Sequence, residues 1–213
     1  MKRLVLALMM GLTILALTGC GSGSDSPPTV VTDILSDPLV DGDIAFDPIL
    51  GFAVTQGMTP PVQSVLAGID PVTGEEFRAF LNFPLTGPGG VPGTAVIVSA
   101  VLDIFINSIA SVSSTIPIRI DLVDFPTQIL STLLFDQPAL LSVTVSPPFL
   151  QTDVGRQSVD VTPLMQEAQR LGLLDFQIRI QEVAGGLPGL IEINDATNLT
   201  RPDVAPLLQV TYF

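Results

Sequence analysis

From about residue 51 onward, hydrophobic positions recur mainly at every second residue, the period of a strand with one buried face. In "FRAFLNFPL" (77–85), Phe77, Ala79, Leu81 and Phe83 share one side, and Arg78 and Asn82 share the other. "VQSVLAGI" (62–69) leads into it through "DPVTGEE", where Pro71 and Gly74 suit a hairpin turn. Alternation returns in "IPIRIDLVDF" (116–125), with Arg119 and Asp121 on its polar face, and in "ALLSVTVSPP", "FQIRIQEV", "LIEIND" and "LLQVTYF". Pro/Gly-rich loops such as "TGPGGVPG" and "AGGLPG" separate these runs. "TAVIVSAVLDIFINSI" (94–109) is long enough for a helix, but its Val/Ile content favours a strand, with room for a bend.

One segment breaks the two-residue period. In "VDVTPLMQEAQRLG", Thr162 is a natural N-cap, Pro163 fits the first helical turn and Gly172 suits the C-terminus. Leu164, Ala168 and Leu171 fall on one face, so a short helix is expected over 163–171. Eight to ten strands and one short helix predict an all-β fold, an antiparallel β-sandwich of jelly-roll type. A β-solenoid is disfavoured because no internal repeat occurs.

The first fifty residues follow another pattern. Lys2 and Arg3 precede an apolar run, Leu4 to Leu17, and small residues then lead to Cys20. This is the layout of an export signal and is short for a spanning helix, which needs about 20 apolar residues. Leu17-Thr18-Gly19-Cys20 resembles the lipobox of bacterial lipoproteins. That resemblance implies cleavage after residue 19, acylation of Cys20 and anchoring in the cell envelope. Gly21, where an aspartate would favour inner-membrane retention, points to the outer membrane. Residues 20–50 read as the lipidated cysteine and an acidic tether, with 51–213 as the folded domain. The apolar clusters "TVVTDIL" and "DIAFDPIL" inside the tether are candidates for a first strand laid on the domain edge.

Composition narrows the chemistry. Cys20 is the single cysteine, so no disulfide forms within the chain. There is no histidine, and the only lysine is Lys2. Ser-His-Asp and Cys-His machinery is therefore excluded, as are zinc sites built on His or Cys. Beyond the signal, six arginines face 21 acidic residues, a balance that argues against nucleic acid as a partner. Carboxylates remain as general acids or bases, with Tyr212 and the arginines as auxiliaries. Glu75 and Glu76 are adjacent and point to opposite faces of a strand, which does not suit a facing glycosidase pair. No catalytic residue, cofactor or metal ligand is assigned. Asp37, Asp41, Asp43 and Asp47 form a loose oxygen-rich series open to two readings, a calcium site or, more simply, an acidic linker.

Several pieces occur together in one order: "FRAFLNFPL", "VSAVLDIFI", "VDVTPLMQEAQRLG", "FQIRI" and "RPDVAPLLQVTYF". This order resembles the DNRLRE-type domain, related to carbohydrate-binding module family 96. Pro84 stands where that family commonly has an acidic residue, and tryptophan is absent. The resemblance implies a jelly-roll module of secreted or surface bacterial proteins, in some cases binding acidic polysaccharide. Arg78, Arg119 and Arg179 are then candidates for a carboxylated sugar, against the plainer reading that each pairs with an acid such as Asp121 or Glu182. The function expected is a lipid-anchored, non-catalytic module that binds a polysaccharide or matrix component. The alternatives are a subunit contacting another envelope protein and, less favoured, a carboxylate hydrolase.

Overall fold

The computed structural model describes residues 28–57 and 63–213. The signal segment 1–19 and Cys20 lie outside the described residues. No helix among the described residues is long and apolar enough to cross a membrane. The strands are β1 (Val30–Leu35), β2 (Gly42–Asp47), β3 (Gly51–Gln56), β4 (Ser64–Ile69), β5 (Glu76–Pro84), β6 (Ile97–Ser111) and β7 (Thr115–Ile116). They continue as β8 (Ile118–Val123), β9 (Leu141–Thr144), β10 (Phe149–Leu150), β11 (Gly155–Asp160), β12 (Asp175–Glu182), β13 (Gly189–Asn194) and β14 (Leu207–Tyr212). Two helices, α1 (Thr162–Leu171) and α2 (Arg201–Val204), interrupt them.

Twelve of these strands build an antiparallel β-sandwich from one curled sheet, and β7 and β10 pair separately. Its order is β1-β14-β6-β13-β4-β5-β12-β8-β9, with β11 on the other side of β6 and the β2–β3 hairpin on β5. The halves β1-β14-β6-β13 and β4-β5-β12-β8 face each other across one apolar core. Ala79, Leu81 and Phe83 of β5 meet Leu102, Ile104 and Ile106 of β6 and Ile178 and Ile180 of β12 there. The alternation read along "FRAFLNFPL" is thus the alternation of the core, except that Phe77 at the strand start is only half-buried.

The long apolar run resolves as a 15-residue strand, β6. It stays extended because three partners share it: β11 along one edge, β14 and then β13 along the other. Register shifts opposite Glu192/Ile193 and Thr211/Tyr212 supply the bend. Helix α1 begins one residue before its expected start, with Val161 as N-cap and Gly172 closing it at φ 69°. Thr162 is helical because Asp160 Oδ1 accepts its backbone N–H (2.9 Å), while its own hydroxyl accepts from Ala100 N (2.9 Å). Leu164 and Ala168 are buried as expected, but Leu171 is exposed and Met165 takes its place in the core.

Two expectations are corrected. The tether does not extend to residue 50, because β1 pairs with β14 from Val30↔Tyr212 to Leu35↔Leu207 and β2 pairs with β5. Ile34 and Ile44 enter the core, and their burial outweighs the acidic composition that suggested a linker. The folded unit therefore starts near residue 30. The outer face of β5 is likewise not a solvated polar face. Residues 124–140 fold over it, and Phe80 packs with Ile44, Val123, Phe125, Leu130, Leu134 and Phe135 in a second small core.

Candidate functional site

The cover over β5 creates a concave pocket of about 500 Å³ between the outer face of the sheet, the segment Asp136–Ala139 and the β12–β13 loop. Its size lies within the range of small-ligand pockets. Arg78 of β5, Arg119 of β8 and Arg179 of β12 all line it, with Gln137, Gln181, Glu76, Asp136 and Glu182. The three arginines singled out from the sequence are thus brought to one place. Register explains the convergence: Arg179 lies opposite Asp121, and Gln181 lies opposite Arg119, on the shared outer face of β12 and β8.

Asp121 is the hub beneath the pocket and is fully buried. Arg179 donates to its Oδ2 through Nη2 (2.6 Å) and Nε (3.2 Å), and Gln181 Nε2 donates to the same oxygen. Ser142 donates to Oδ1 (2.6 Å). Arg119 Nε lies 2.8 Å from Oδ1 but out of line for a hydrogen bond, while its Nη2 donates to Oδ2 at 3.2 Å. Burial pushes the Asp121 carboxyl up, but the hydrogen bonds from Ser142, Arg179 and Arg119 outweigh it and hold the group below its ordinary range.

The arginines are not equivalent. Arg179 is buried and spends its third nitrogen, Nη1, on the carbonyls of Leu134 (3.1 Å), Phe135 (2.8 Å) and Gln137 (2.9 Å). It pins the covering segment to the sheet. Arg78 pairs with Glu76 (2.8 Å) and Asp136 (3.0 Å), donates to Phe135 O and lies 3.7 Å over the Phe135 ring. Arg119 is the most exposed of the three, at 36% of its side chain. Its Nη1 makes no hydrogen bond among the described residues, so it presents donors to the pocket.

The acids expected to pair with these arginines divide. Asp121 does so; Glu182 does not. Glu182 instead accepts from Gly189 N (3.3 Å), and burial pushes its carboxyl up. Glu75 remains by the turn, but Glu76 is the first residue of β5 and is held by Arg78. Tyr212 sits at the far end of β14, opposite Val30 and away from the pocket.

The four aspartates of the suggested oxygen-rich series are each held by local partners of their own. Asp37 accepts from Leu39 N (3.0 Å), and Asp47 accepts from Ile49 N and Leu50 N, so both stabilise turns. Asp43 is buried and accepts from Leu66 N (3.1 Å). Asp41 is fully buried, accepts from Asn82 N (2.8 Å) and joins Asp195, which Arg201 holds at 2.9 Å. No group of three or more potential metal-ligating side chains forms among the described residues.

Sequence reasoning missed the Asp41–Asp195–Arg201 cluster, whose members lie far apart in the chain. It also missed Gln137 and Asp136, because "STLLFDQPAL" carries no strand period. The one signal available was Arg179 and Gln181 two residues apart, on the same face of one strand. The chain matches no protein-family model, and no curated protein is similar to it in sequence.

Proposed function

We propose that the protein is a lipid-anchored, non-catalytic module of the bacterial cell envelope, held by acyl chains on Cys20 in the outer membrane, that binds a polysaccharide or surface-matrix component in the arginine-lined pocket. The convergence of Arg78, Arg119, Arg179, Gln137 and Gln181 on one concave surface carries this reading. Such a lining offers many donors to hydroxyl or carboxylate oxygens. The lipobox and the resemblance to DNRLRE-type domains support the same reading. The pocket carboxylates Glu76, Asp136 and the underlying Asp121 are held by arginines, which suits binding rather than proton transfer.

The charge balance shapes the ligand. Three guanidinium groups face Glu76, Asp121 and Asp136, so the pocket has no excess positive charge before Glu182 is counted. A neutral, hydroxyl-rich chain, or one with a single carboxylate at Arg119, fits better than a dense polyanion. The test is a panel of neutral and uronic-acid polysaccharides presented to the full-length protein. Arg119→Ala is expected to weaken binding about tenfold, the loss of one charge-assisted contact, without unfolding the domain. Absence of binding to every member of the panel, with the fold intact by circular dichroism, would overturn this function.

A second reading has its own observation. Among the described residues, strand β3 is an edge paired only with β2, and it exposes Phe52 and Val54. Ile49 and Leu50 at the hairpin tip are 91% and 86% exposed. An apolar edge of this kind suits strand addition by a protein partner. Envelope cross-linking from position 50 that yields a defined heterologous adduct, lost on adding Val54→Lys, would favour this reading over the first.

A further inference from the structure

The end of the sandwich opposite the pocket carries its own feature. The start of β1, the start of β6 and the end of β14 lie side by side there, with Val30 opposite Tyr212 and Tyr212 opposite Ile97. Val96 and Phe213 exchange backbone hydrogen bonds just beyond (2.8 and 3.2 Å). Val31, Val96, Val98 and Phe213 are 55%, 53%, 46% and 46% exposed. Residues 28–32, 94–102 and 210–213 contain no charged side chain, although the chain holds 21 acids. An uncharged apolar surface in so acidic a protein is an unusual use of its surface.

The chain connects this end to Cys20. Nine residues, 21–29, separate the cysteine from Val30. The ten Cα-to-Cα steps from Cys20 to Val30 span at most about 36 Å at about 3.3–3.6 Å per residue. Strand β6 runs 15 residues from this end toward the pocket end, about 45 Å at about 3.3 Å per residue. At the far end, Ser111 of β6 lies opposite Gly189, whose N–H donates to the pocket residue Glu182. The tether is therefore short relative to the molecule, and the uncharged strand ends are what it holds near the bilayer.

We propose that the surface formed by Val31, Val96, Val98 and Phe213 rests on the lipid bilayer at the headgroup–acyl boundary, so that the domain stands on these strand ends with the pocket facing away from the membrane. This inference rests on the lipid-anchoring reading above. The contact is apolar, so it does not depend on anionic lipid, which a protein of this net charge would repel. Among the other strongly exposed apolar residues, Ile49, Leu50 and Val72 sit at the pocket end, since Phe46 lies opposite Glu76 and Val72 is in the β4–β5 turn. They provide the natural control.

The chain contains no tryptophan, so one introduced indole reports cleanly. The full-length protein is purified with its N-terminal modification, checked by mass spectrometry and reconstituted into phosphatidylcholine vesicles with and without acyl-brominated lipid. The Phe213→Trp variant is expected to be quenched by at least about twofold, as for a side chain within about 10 Å of the acyl boundary, and the Val72→Trp variant not at all. Adding Val31→Asp and Val98→Asp to the Phe213→Trp variant is expected to abolish the quenching while the protein still floats with the vesicles. Flotation with an unquenched Phe213→Trp variant, or stronger quenching of the Val72→Trp variant, overturns the proposed orientation alone. An unmodified Cys20 overturns the anchoring reading and this inference together.

Discussion

Arg179 and Arg119 reach the same carboxylate from neighbouring strands, yet their removal has different consequences. Arg179→Ala strips a fully buried Asp121 of its two-nitrogen guanidinium partner, 2.6 Å away, and leaves the carbonyls of Leu134, Phe135 and Gln137 without their shared donor. Breaking a buried pair on one side costs about 3–5 kcal/mol. Thermal denaturation should therefore show a large loss for Arg179→Ala, with no rescue by Arg179→Lys, since an ammonium cannot reproduce the fork. Arg119→Ala leaves Asp121 with Arg179, Gln181 and Ser142, and its stability cost should stay near the ~1 kcal/mol typical of a partly exposed pair. Equal losses for the two would contradict this division between structural and pocket-facing arginines. The site was legible in the sequence to this extent: alternation placed Arg119, Asp121 and Arg179 on polar faces. Which arginine would be buried was not legible, because burial came from residues 124–140, a segment without periodicity that covers the face from outside.

At the scale of elements, two glycines separate backbone conformation from close packing. Gly172 adopts φ +69° at the end of α1, with nothing within 4 Å of an added Cβ. Gly172→Ala should cost only the left-handed penalty, about 1 kcal/mol. Gly68 in β4 adopts φ +120°, and a Cβ there would lie 2.0 Å from Gly189 O on β13, the strand that joins the two halves of the sandwich. Gly68→Ala must part β4 from β13, so its loss belongs with the large values reserved for steric insertion. Chemical denaturation of both variants checks the ordering. The same contrast explains what the sequence shows of elements. Gly172 was readable as a helix stop from its position after "EAQRL", whereas nothing adjacent to Gly68 records Gly189, more than a hundred residues away. Strands, turns and the helix follow from local period and turn chemistry. The inclusion of β1 and β2 in the sheet was only half legible: the apolar clusters "TVVTDIL" and "DIAFDPIL" marked them as candidates for a strand on the domain edge, but aspartate-rich composition suggested a tether, and their partners, in β14 and β5, lie elsewhere in the chain.

For the molecule as a whole, excess acidity and buried acids combine to make stability depend on pH in an uncommon direction. Burial raises Asp43 to about 6, and burial together with the neighbouring acid raises Asp41 well above its ordinary value. Burial likewise raises Asp195 to about 6, against the pull of Arg201. A carboxyl whose folded pKa lies above the unfolded one keeps its proton longer in the native state. Its contribution is fully present below the ordinary value of 3.8 and is lost as pH rises through about 6. Asp121 has the opposite sign: its pKa is lowered, so its contribution is present above 3.8 and fades as pH falls through the depressed value. The two trends meet in mildly acidic solution, and self-repulsion of the acidic surface adds to the loss at higher pH. The thermal midpoint should therefore peak near the ordinary carboxylate pKa and decline as pH is raised through 6. Asp43→Asn isolates one contributor, because asparagine can still accept from Leu66 N but does not titrate. At about 1.4 kcal/mol per pH unit, ionising Asp43 costs on the order of 3 kcal/mol, so the variant should exceed the parent in stability at about pH 8 and match it near pH 4. A parent protein whose stability rises steadily from acid to neutral pH would show instead that the buried carboxyls ionise without cost, and the cluster of Asp41, Asp195 and Arg201 would then have to be solvated rather than sealed in the fold.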